Sequence, residues 1–212
     1  QQAQEAYSGP IAQPKISYPH FSQGPKFSFE DLGYYSNDKT YFIPSRDGYL
    51  LALLNAKPAW FFLRSTASAM RGGEWRLELR VQFLEPVPIP AATDEQKAEL
   101  ATLAETAQAA SEERYRLQQQ VTRRIPDLAA DPASAKLPNK LKEWWTLPDF
   151  ATFQKEVKKA LKANIPLKER NDWDSWLSET RAEIDRLTDR IRTCERQINA
   201  KVYALFDLDA ED

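Results

Sequence analysis

The spacing of apolar residues predicts strands in the first part of the chain. Before residue 90, apolar and aromatic residues come in short runs that alternate with polar ones, and prolines, glycines or a Ser-Asn-Asp segment separate the runs. Alternation with a period of two and enrichment in β-branched and aromatic residues are typical of β-strands. In the last run, Leu77, Leu79, Val81 and Phe83 are expected to face inward. The predicted strands are residues 15–18, 26–30, 40–43 and 76–84.

One segment of this first part has a different pattern. Residues 45–66 are apolar on all sides and too long for a strand, which predicts a buried helix. Ser45 or Asp47 is the expected N-cap, and Pro58 is expected to interrupt the helix because proline lacks a backbone N–H.

After three alternating prolines, the periodicity becomes helical. Thr93 followed by Asp94 and Glu95 is typical of a helix start with an N-cap and an acidic first turn. The apolar face of this first long helix consists of Leu100, Leu103, Ala107, Ala110, Leu117 and Val121. Residues 125–138 contain three prolines and predict a break, and a helix pair is expected within 139–163.

The last helix is predicted from about Asn171 and carries a narrow apolar stripe. Apolar residues recur at intervals of seven, and Leu187 and Cys194 occupy intermediate positions. Such a stripe is typical of a coiled coil, and we expect the two long helices to fold back on each other as an antiparallel pair. A rod that dimerises with a second copy is the alternative, because a stripe does not identify its partner. The seven-residue series is Leu177, Ile184, Ile191, Ile198 and Leu205.

These elements predict an α+β protein. All six glycines lie at or before Gly73, and both long helices follow Pro90. We therefore expect an entry linker at 1–14, a small mixed α/β module at 15–90 and a mainly helical module at 91–212 that braces it.

Charge and composition narrow the classes of function. The net charge is −2, with 9 Lys+Arg against 8 Asp+Glu in residues 1–92 and 20 against 23 in residues 93–212. Neither half is therefore a generic polyanion binder. Because the sequence has neither an apolar run of ~18 residues nor a basic-then-apolar leader, we expect a cytoplasmic protein. It has no initial Met, which suggests a piece of a longer protein.

Candidate catalytic chemistry is sparse. With one cysteine and one histidine, Cys194 and His20, we expect neither a disulfide nor a zinc site. Asp149 followed by Glu156 and Lys158 superficially matches a metal-nuclease pattern, but the stretch is amphipathic and a solvated helix face is the preferred interpretation. We expect His20 to be a turn residue, and no catalytic residue is predicted. The tryptophans of the helical half, Trp144, Trp145, Trp173 and Trp176, are expected to pack between helices rather than stack on bases.

The loops of the first module carry the candidate binding residues. Arginine can fork onto guanine and asparagine onto adenine in the major groove, whereas lysine and backbone amides hold phosphates. Ordinary solvated loop charges are the alternative interpretation. The candidate DNA contacts are Lys26, Asn37, Lys39, Arg46, Arg71, Gly72 and Arg76.

The ordered set of motifs resembles a known family. From Lys15 to Asp207 the chain is similar to the TaqI-like C-terminal specificity domain of adenine-specific DNA methyltransferases and single-chain type II restriction-modification enzymes. Residues 84–90 also resemble the exit from a target-recognition domain in type I specificity subunits. The motifs are Tyr18-Pro19, Lys26-Phe27, Gly33-Tyr34-Tyr35-Ser36-Asn37, Thr40-Tyr41-Phe42-Ile43-Pro44, Tyr49-Leu50-Leu51-Ala52-Leu53-Leu54-Asn55-Ala56-Lys57, Trp60-Phe61-Phe62-Leu63, Leu141-Lys142-Glu143-Trp144-Trp145, Ile165-Pro166-Leu167-Lys168-Glu169-Arg170 and Ile198-Asn199-Ala200-Lys201-Val202-Tyr203-Ala204-Leu205-Phe206-Asp207-Leu208.

The resemblance implies a non-catalytic fragment that selects a site on double-stranded DNA. It implies an upstream methyltransferase domain in the same parent chain, which uses S-adenosylmethionine, whereas this segment holds no cofactor. Base-reading positions differ between members of such a family, so no contact residue transfers. A structural or protein-interaction helical arm without base reading is the competing hypothesis, and an embedded nuclease is a third.

Overall fold

A computed structural model describes residues 9, 12–35, 37–70 and 76–208. The chain forms two compact units. Unit 1 comprises the described residues up to Gln108 together with those from Arg192 onward, and unit 2 comprises Ala109–Ile191. The domain boundary expected near residue 90 stays a prediction, as does the entry linker, most of which lies outside the described residues.

Unit 1 contains two small antiparallel sheets. In the first, β1 lies between β3 and β4, with Ile16 opposite both Phe29 and Ile43. In the second, β6 lies between β2 and β5. The strands are β1 (Lys15–Pro19), β2 (Phe21–Ser22), β3 (Ser28–Glu30), β4 (Thr40–Ile43), β5 (Ala69–Met70) and β6 (Arg76–Glu78).

Three of the four predicted strands are confirmed as β1, β3 and β4, but the fourth is shorter than predicted. β6 ends at Glu78, and a short helix, α3 (Val81–Leu84), follows. Leu77 and Leu79 are buried as expected, whereas Val81 is 54% exposed. The alternation fails there because the partner strand β2 has only two residues, so the backbone beyond Leu79 has no ladder to join.

The predicted buried helix is confirmed as two helices, α1 (Gly48–Asn55) and α2 (Lys57–Thr66). Asp47 is the N-cap of α1, and its carboxylate accepts hydrogen bonds from the N–H groups of the second and third residues beyond it. Ala56, in extended conformation, separates the helices two residues before Pro58. Most of α1 is buried in the unit 1 core, because the sheets and the long helices surround it.

The first long helix is α4 (Asp94–Thr122), and its predicted start is confirmed. The hydroxyl of Thr93 accepts from the Gln96 N–H at 3.2 Å, and the Gln96 side chain accepts from the Thr93 N–H at 2.8 Å. This reciprocal pair is a capping box, which satisfies two N–H groups that the helix itself cannot.

The second long helix, α7 (Arg170–Leu205), pairs with α4 in antiparallel orientation. Lys201 pairs with Glu99 near the start of α4, whereas Thr188 contacts Arg114 further along it at 3.2 Å. The residues of the stripe from Leu177 to Ile198 are buried. The partner of the stripe is therefore a helix of the same chain, and the predicted α+β class is confirmed.

Unit 2 packs short helices against the long ones. Trp144 is fully buried, and its indole N–H donates to the Gln118 carbonyl at 3.1 Å. The other three tryptophans of the helical half are partly buried against the same core, so the packing prediction is confirmed. The short elements are α5 (Asn139–Lys142), α6 (Phe150–Leu161) and the 3-10 segments Ile125–Leu128, Pro132–Ser134, Trp144–Thr146 and Leu167–Glu169.

Candidate nucleic-acid interface

Strand register brings three of the predicted contact residues to neighbouring strand ends. β3 and β4 both begin beside the last part of β1, where Ser28 is opposite Ser17 and Thr40 is opposite Pro19. Lys39 directly precedes β4, and only Phe27 separates Lys26 from β3. Both lysines therefore lie at this end of the first sheet. Both side chains are exposed.

Arg76 reaches the same region through the second sheet. In the pairing of β2 with β6, Ser22 is opposite Leu77, and the next position of that register places Arg76 opposite Gln23. Gln23 begins the loop that contains Lys26. The side chain of Arg76 is exposed. We call Lys26, Lys39 and Arg76 the strand-end cations.

The strand-end cations make few internal ion pairs. Lys39 pairs with its neighbour Asp38 at 3.0 Å, but both side chains are well exposed, at 67% and 77%. Among the described residues, neither Lys26 nor Arg76 pairs with a carboxylate. A surface pair such as that of Lys39 contributes little free energy, so these three charges are available to a polyanion.

Asn37 lies in the turn before β4. Its side-chain carbonyl accepts from the Lys39 N–H at 2.9 Å, and its backbone carbonyl accepts from the Thr40 N–H at 3.2 Å. These bonds fix the turn that carries Lys39. Asn37 is exposed, and the backbone that carries its side-chain NH2 group is held in place by these bonds. Recognition of a base edge requires a donor that is positioned in this way.

Arg46 is used within the fold. Its guanidinium donates to Asp31 at 2.9 Å and to Glu105 at 3.0 Å, and it lies 3.5 Å from the centre of the Phe29 ring. These contacts link the loop after β3, the segment before α1 and helix α4. To bind DNA, Arg46 would have to give up two carboxylates and a cation–π contact. Its role as a DNA contact stays a prediction.

Two further candidates, Arg71 and Gly72, lie outside the described residues. Their assignment as DNA contacts therefore stays a prediction.

A buried ion pair holds the loop between β3 and β4. Lys15 is 1% exposed and pairs with Glu30, whose carboxylate also accepts from the N–H groups of Leu32 and Tyr34. Partial burial acts to raise the pKa of Glu30, but these hydrogen bonds outweigh it and lower that pKa. Gly33 has φ of +71°, and a Cβ there would lie 3.1 Å from the Ala12 carbonyl oxygen. Only glycine fits this turn without strain.

A cluster around His20 was not found from the sequence. The imidazole Nε2 lies 3.1 Å from a Glu78 carboxylate oxygen, which also accepts from Arg80 at 2.7 Å. The hydrogen bond from Arg80 and then that from His20 lower the pKa of Glu78, against desolvation, which acts to raise it. The backbone of His20 also bonds to Lys39 and Leu79, so this residue links both sheets. No sequence signal relates residues 58 positions apart.

The two carboxylates of the nuclease-like pattern have partners within the fold. Asp149 is the N-cap of α6 and accepts from the Thr152 N–H at 2.7 Å, while Glu156 pairs with Lys140 at 3.2 Å. Their carboxylates therefore do not converge on a shared position. Within residues 9, 12–35, 37–70 and 76–208, no group of three His, Cys, Asp or Glu residues is placed to hold a metal ion.

Over the same described part of the chain, no helix combines the length and the apolar character that crossing a bilayer requires.

Comparison with known proteins identifies one family. A family model described as "Domain of unknown function (DUF8810)" matches residues 93–202, more than half of the chain. The chain belongs to this family. The matched range begins at the N-cap of α4 and ends in the last turns of α7, so it covers the long helix pair and the helical elements between them. No curated protein and no solved structure matches the chain.

Proposed function

We propose that this chain recognises a site on double-stranded DNA as the specificity segment of a larger cytoplasmic DNA-modifying enzyme. An adenine-specific methyltransferase domain upstream in the parent chain binds S-adenosylmethionine and performs the chemistry. The segment itself supplies recognition and no catalysis. The observation that supports this proposal is the placement of the exposed Lys26, Lys39 and Arg76 at adjoining strand ends, beside the fixed turn of Asn37.

This arrangement suits a DNA groove physically. Two antiparallel sheets fix the backbones of the loops that carry these cations. Less conformational entropy is therefore lost when the loops bind DNA. Lysine and arginine side chains contact phosphates, while Arg76 and Asn37 have the donor geometry that reads guanine and adenine.

The charge of the chain sets an expectation for affinity. Each phosphate contact makes the logarithm of the DNA-binding constant fall by about 0.9 for every tenfold rise in salt concentration. Three cations make only a few such contacts. With a net charge of −2, the chain lacks the bulk positive charge of an independent DNA binder. We therefore expect the isolated 212-residue chain to bind DNA weakly and the parent enzyme to supply most of the phosphate contacts.

The test is to map methylated adenines genome-wide in cells that carry the parent enzyme or its variants. We expect Arg76→Ala and Asn37→Ala to relax the preferred sequence, and Lys26→Ala and Lys39→Ala to reduce methylation evenly across sites. Lys97→Ala is the matched control, because Lys97 is exposed on α4 rather than at a strand end. If all four variants retain the sequence preference and efficiency of the control, with an unchanged circular dichroism spectrum, base reading by this surface is refuted.

A second candidate is a structural or protein-interaction arm without base reading. The observation in its favour is that the family match covers the helical segment 93–202 and none of the strands. Under this hypothesis, the helical segment docks a protein partner, the α+β segment merely caps it, and the strand-end cations have no ligand. The same methylation maps distinguish the two hypotheses, because an arm predicts that the strand-end variants change nothing.

A further inference from the structure

A cleft of about 390 Å³ opens on the surface of unit 2. It is independent of the strand-end cations, which belong to unit 1. Its volume lies within the range of sites that bind small organic molecules, about 300–1,000 Å³. The lining residues are Arg124, Asp127, Asp172, Trp173 and Trp176.

Two indole rings form a corner of this cleft. Trp173 and Trp176 are three residues apart on α7, so they lie on the same side of the helix. Their ring centres are 5.3 Å apart with an angle of 57° between the planes. The Trp173 ring also stacks on Phe153, with centres 5.9 Å apart, and Phe153 is fully buried. The corner is therefore anchored to the core of unit 2.

Among the side chains that line the cleft, carboxylates outnumber guanidinium groups. Arg124 and Asp127 form an ion pair of 3.5 Å. Asp172 lies in the first turn of α7, and among the described residues it has no cationic partner. The lining thus contains two carboxylates and one guanidinium. The π faces of the indoles add negative potential, because an aromatic ring has a negative face and a positive edge.

We infer that this cleft binds an organic ammonium cation. Indole faces attract alkylammonium groups through cation–π interaction while their apolar surface accommodates the methyl or methylene groups. The Asp172 carboxylate supplies the opposite charge beside the rings. The same features disfavour phosphates and carboxylates. Arg124 opposes the cation, because it carries a like charge and engages Asp127.

The experiment compares choline with its neutral carbon isostere, 3,3-dimethylbutan-1-ol, on the full chain. Binding is followed by the NMR shifts of the tryptophan indole N–H signals, with Trp173 and Trp176 assigned through Trp173→Phe and Trp176→Phe. We expect choline to shift these two signals and to bind about tenfold more tightly than the isostere, which is the scale of a cation–π interaction at a partly exposed site.

Four variants separate the contributions of the lining. Asp172→Asn and Trp176→Leu should weaken choline binding severalfold, and Arg124→Gln should strengthen it. Asp174→Asn is the control, because Asp174 is exposed on the same helix but does not line the cleft. Equal binding of choline and the isostere, or no shift of either indole signal with choline, overturns the inference. An Asp172→Asn effect no larger than that of Asp174→Asn also overturns it. Asp172 is exposed, so its substitution does not disturb the packing of the core.

The source of the cation is distinguished by a further arm. A peptide carrying trimethyllysine presents the same ammonium group from a protein, and its unmodified lysine form is the control. Tighter binding of the methylated peptide than of choline assigns the cleft to a protein partner, whereas the reverse order assigns it to a free amine. This comparison is made once choline has bound more tightly than the neutral isostere, and either order of affinities then supports an ammonium site.

Discussion

The side chain of Gln108 replaces a neighbouring strand at the open edge of β3. Its carbonyl oxygen accepts from the Phe29 N–H at 2.7 Å, and its NH2 group donates to the Phe29 carbonyl at 3.1 Å. Asn55 makes the same pair of bonds with Phe27, at 3.1 and 2.9 Å. Two amides, from α4 and α1, thus satisfy backbone groups that a strand edge would leave unpaired.

We predict that Gln108→Ala destabilises unit 1. A neutral hydrogen bond contributes about 0.5–1.5 kcal/mol net, so the loss of two gives about 1–3 kcal/mol. Alanine is a slightly better helix former than glutamine, which offsets a few tenths of a kcal/mol. Phe29 is only 6% exposed, so water does not readily replace both lost partners of its backbone. The expected change therefore stays close to the stated range.

The assay is urea denaturation followed by circular dichroism, with hydrogen exchange of the Phe29 amide as a local measurement. The local measurement is needed because a chain with two compact units need not unfold in one step. Gln120→Ala is the control, since Gln120 is exposed on the same helix and makes only a 3.4 Å contact with Arg116. Equal unfolding midpoints for the two variants, together with unchanged protection of the Phe29 amide, would refute this account of the strand edge.

Two other predictions follow from single carboxylates. Asp47→Ala removes the N-cap of α1 and should cost about 1 kcal/mol in urea denaturation, whereas Asp38→Ala, at an exposed turn, should leave the midpoint unchanged; equal midpoints would contradict the capping role. Because Arg80 and His20 lower the pKa of Glu78, its contribution to stability is complete above its ordinary pKa of 4.5 and is lost as pH falls through the lower folded value. Glu78→Gln should therefore reduce the decline of stability on acidification, measured as the unfolding midpoint between neutral and acid pH, and a decline as steep as that of the parent chain would be evidence against this linkage.

The elements that follow from local chemistry were predictable. The Thr93 capping box, the Asp47 N-cap and the break before Pro58 depend on residues within a few positions of each other, so the sequence contains all the information they require. The seven-residue stripe of α7 is local in the same sense, because helical periodicity alone determines which face is apolar.

The candidate site was predictable only in part. That Lys26, Lys39 and Arg76 are exposed near strand ends follows from their positions in polar turns. Their placement at neighbouring strand ends depends on the register of β1 with β3 and β4 and of β2 with β6, and no single strand contains that information. Arg46 shows what the sequence cannot predict. Its position in a polar segment is typical of a solvated loop cation, but its partners Asp31 and Glu105 lie on other elements.

The sequence by itself determined the element types, the helix starts and the apolar faces, because backbone preferences and periodicity act over a few residues. The tertiary structure alone decided how far β6 extends, which amides close the edge of β3 and which groups surround His20. Each of these depends on residues far apart in the chain, such as Gln108 with Phe29 or His20 with Glu78. A strand continues only where a partner offers hydrogen bonds, and a buried polar group is stable only where a partner reaches it.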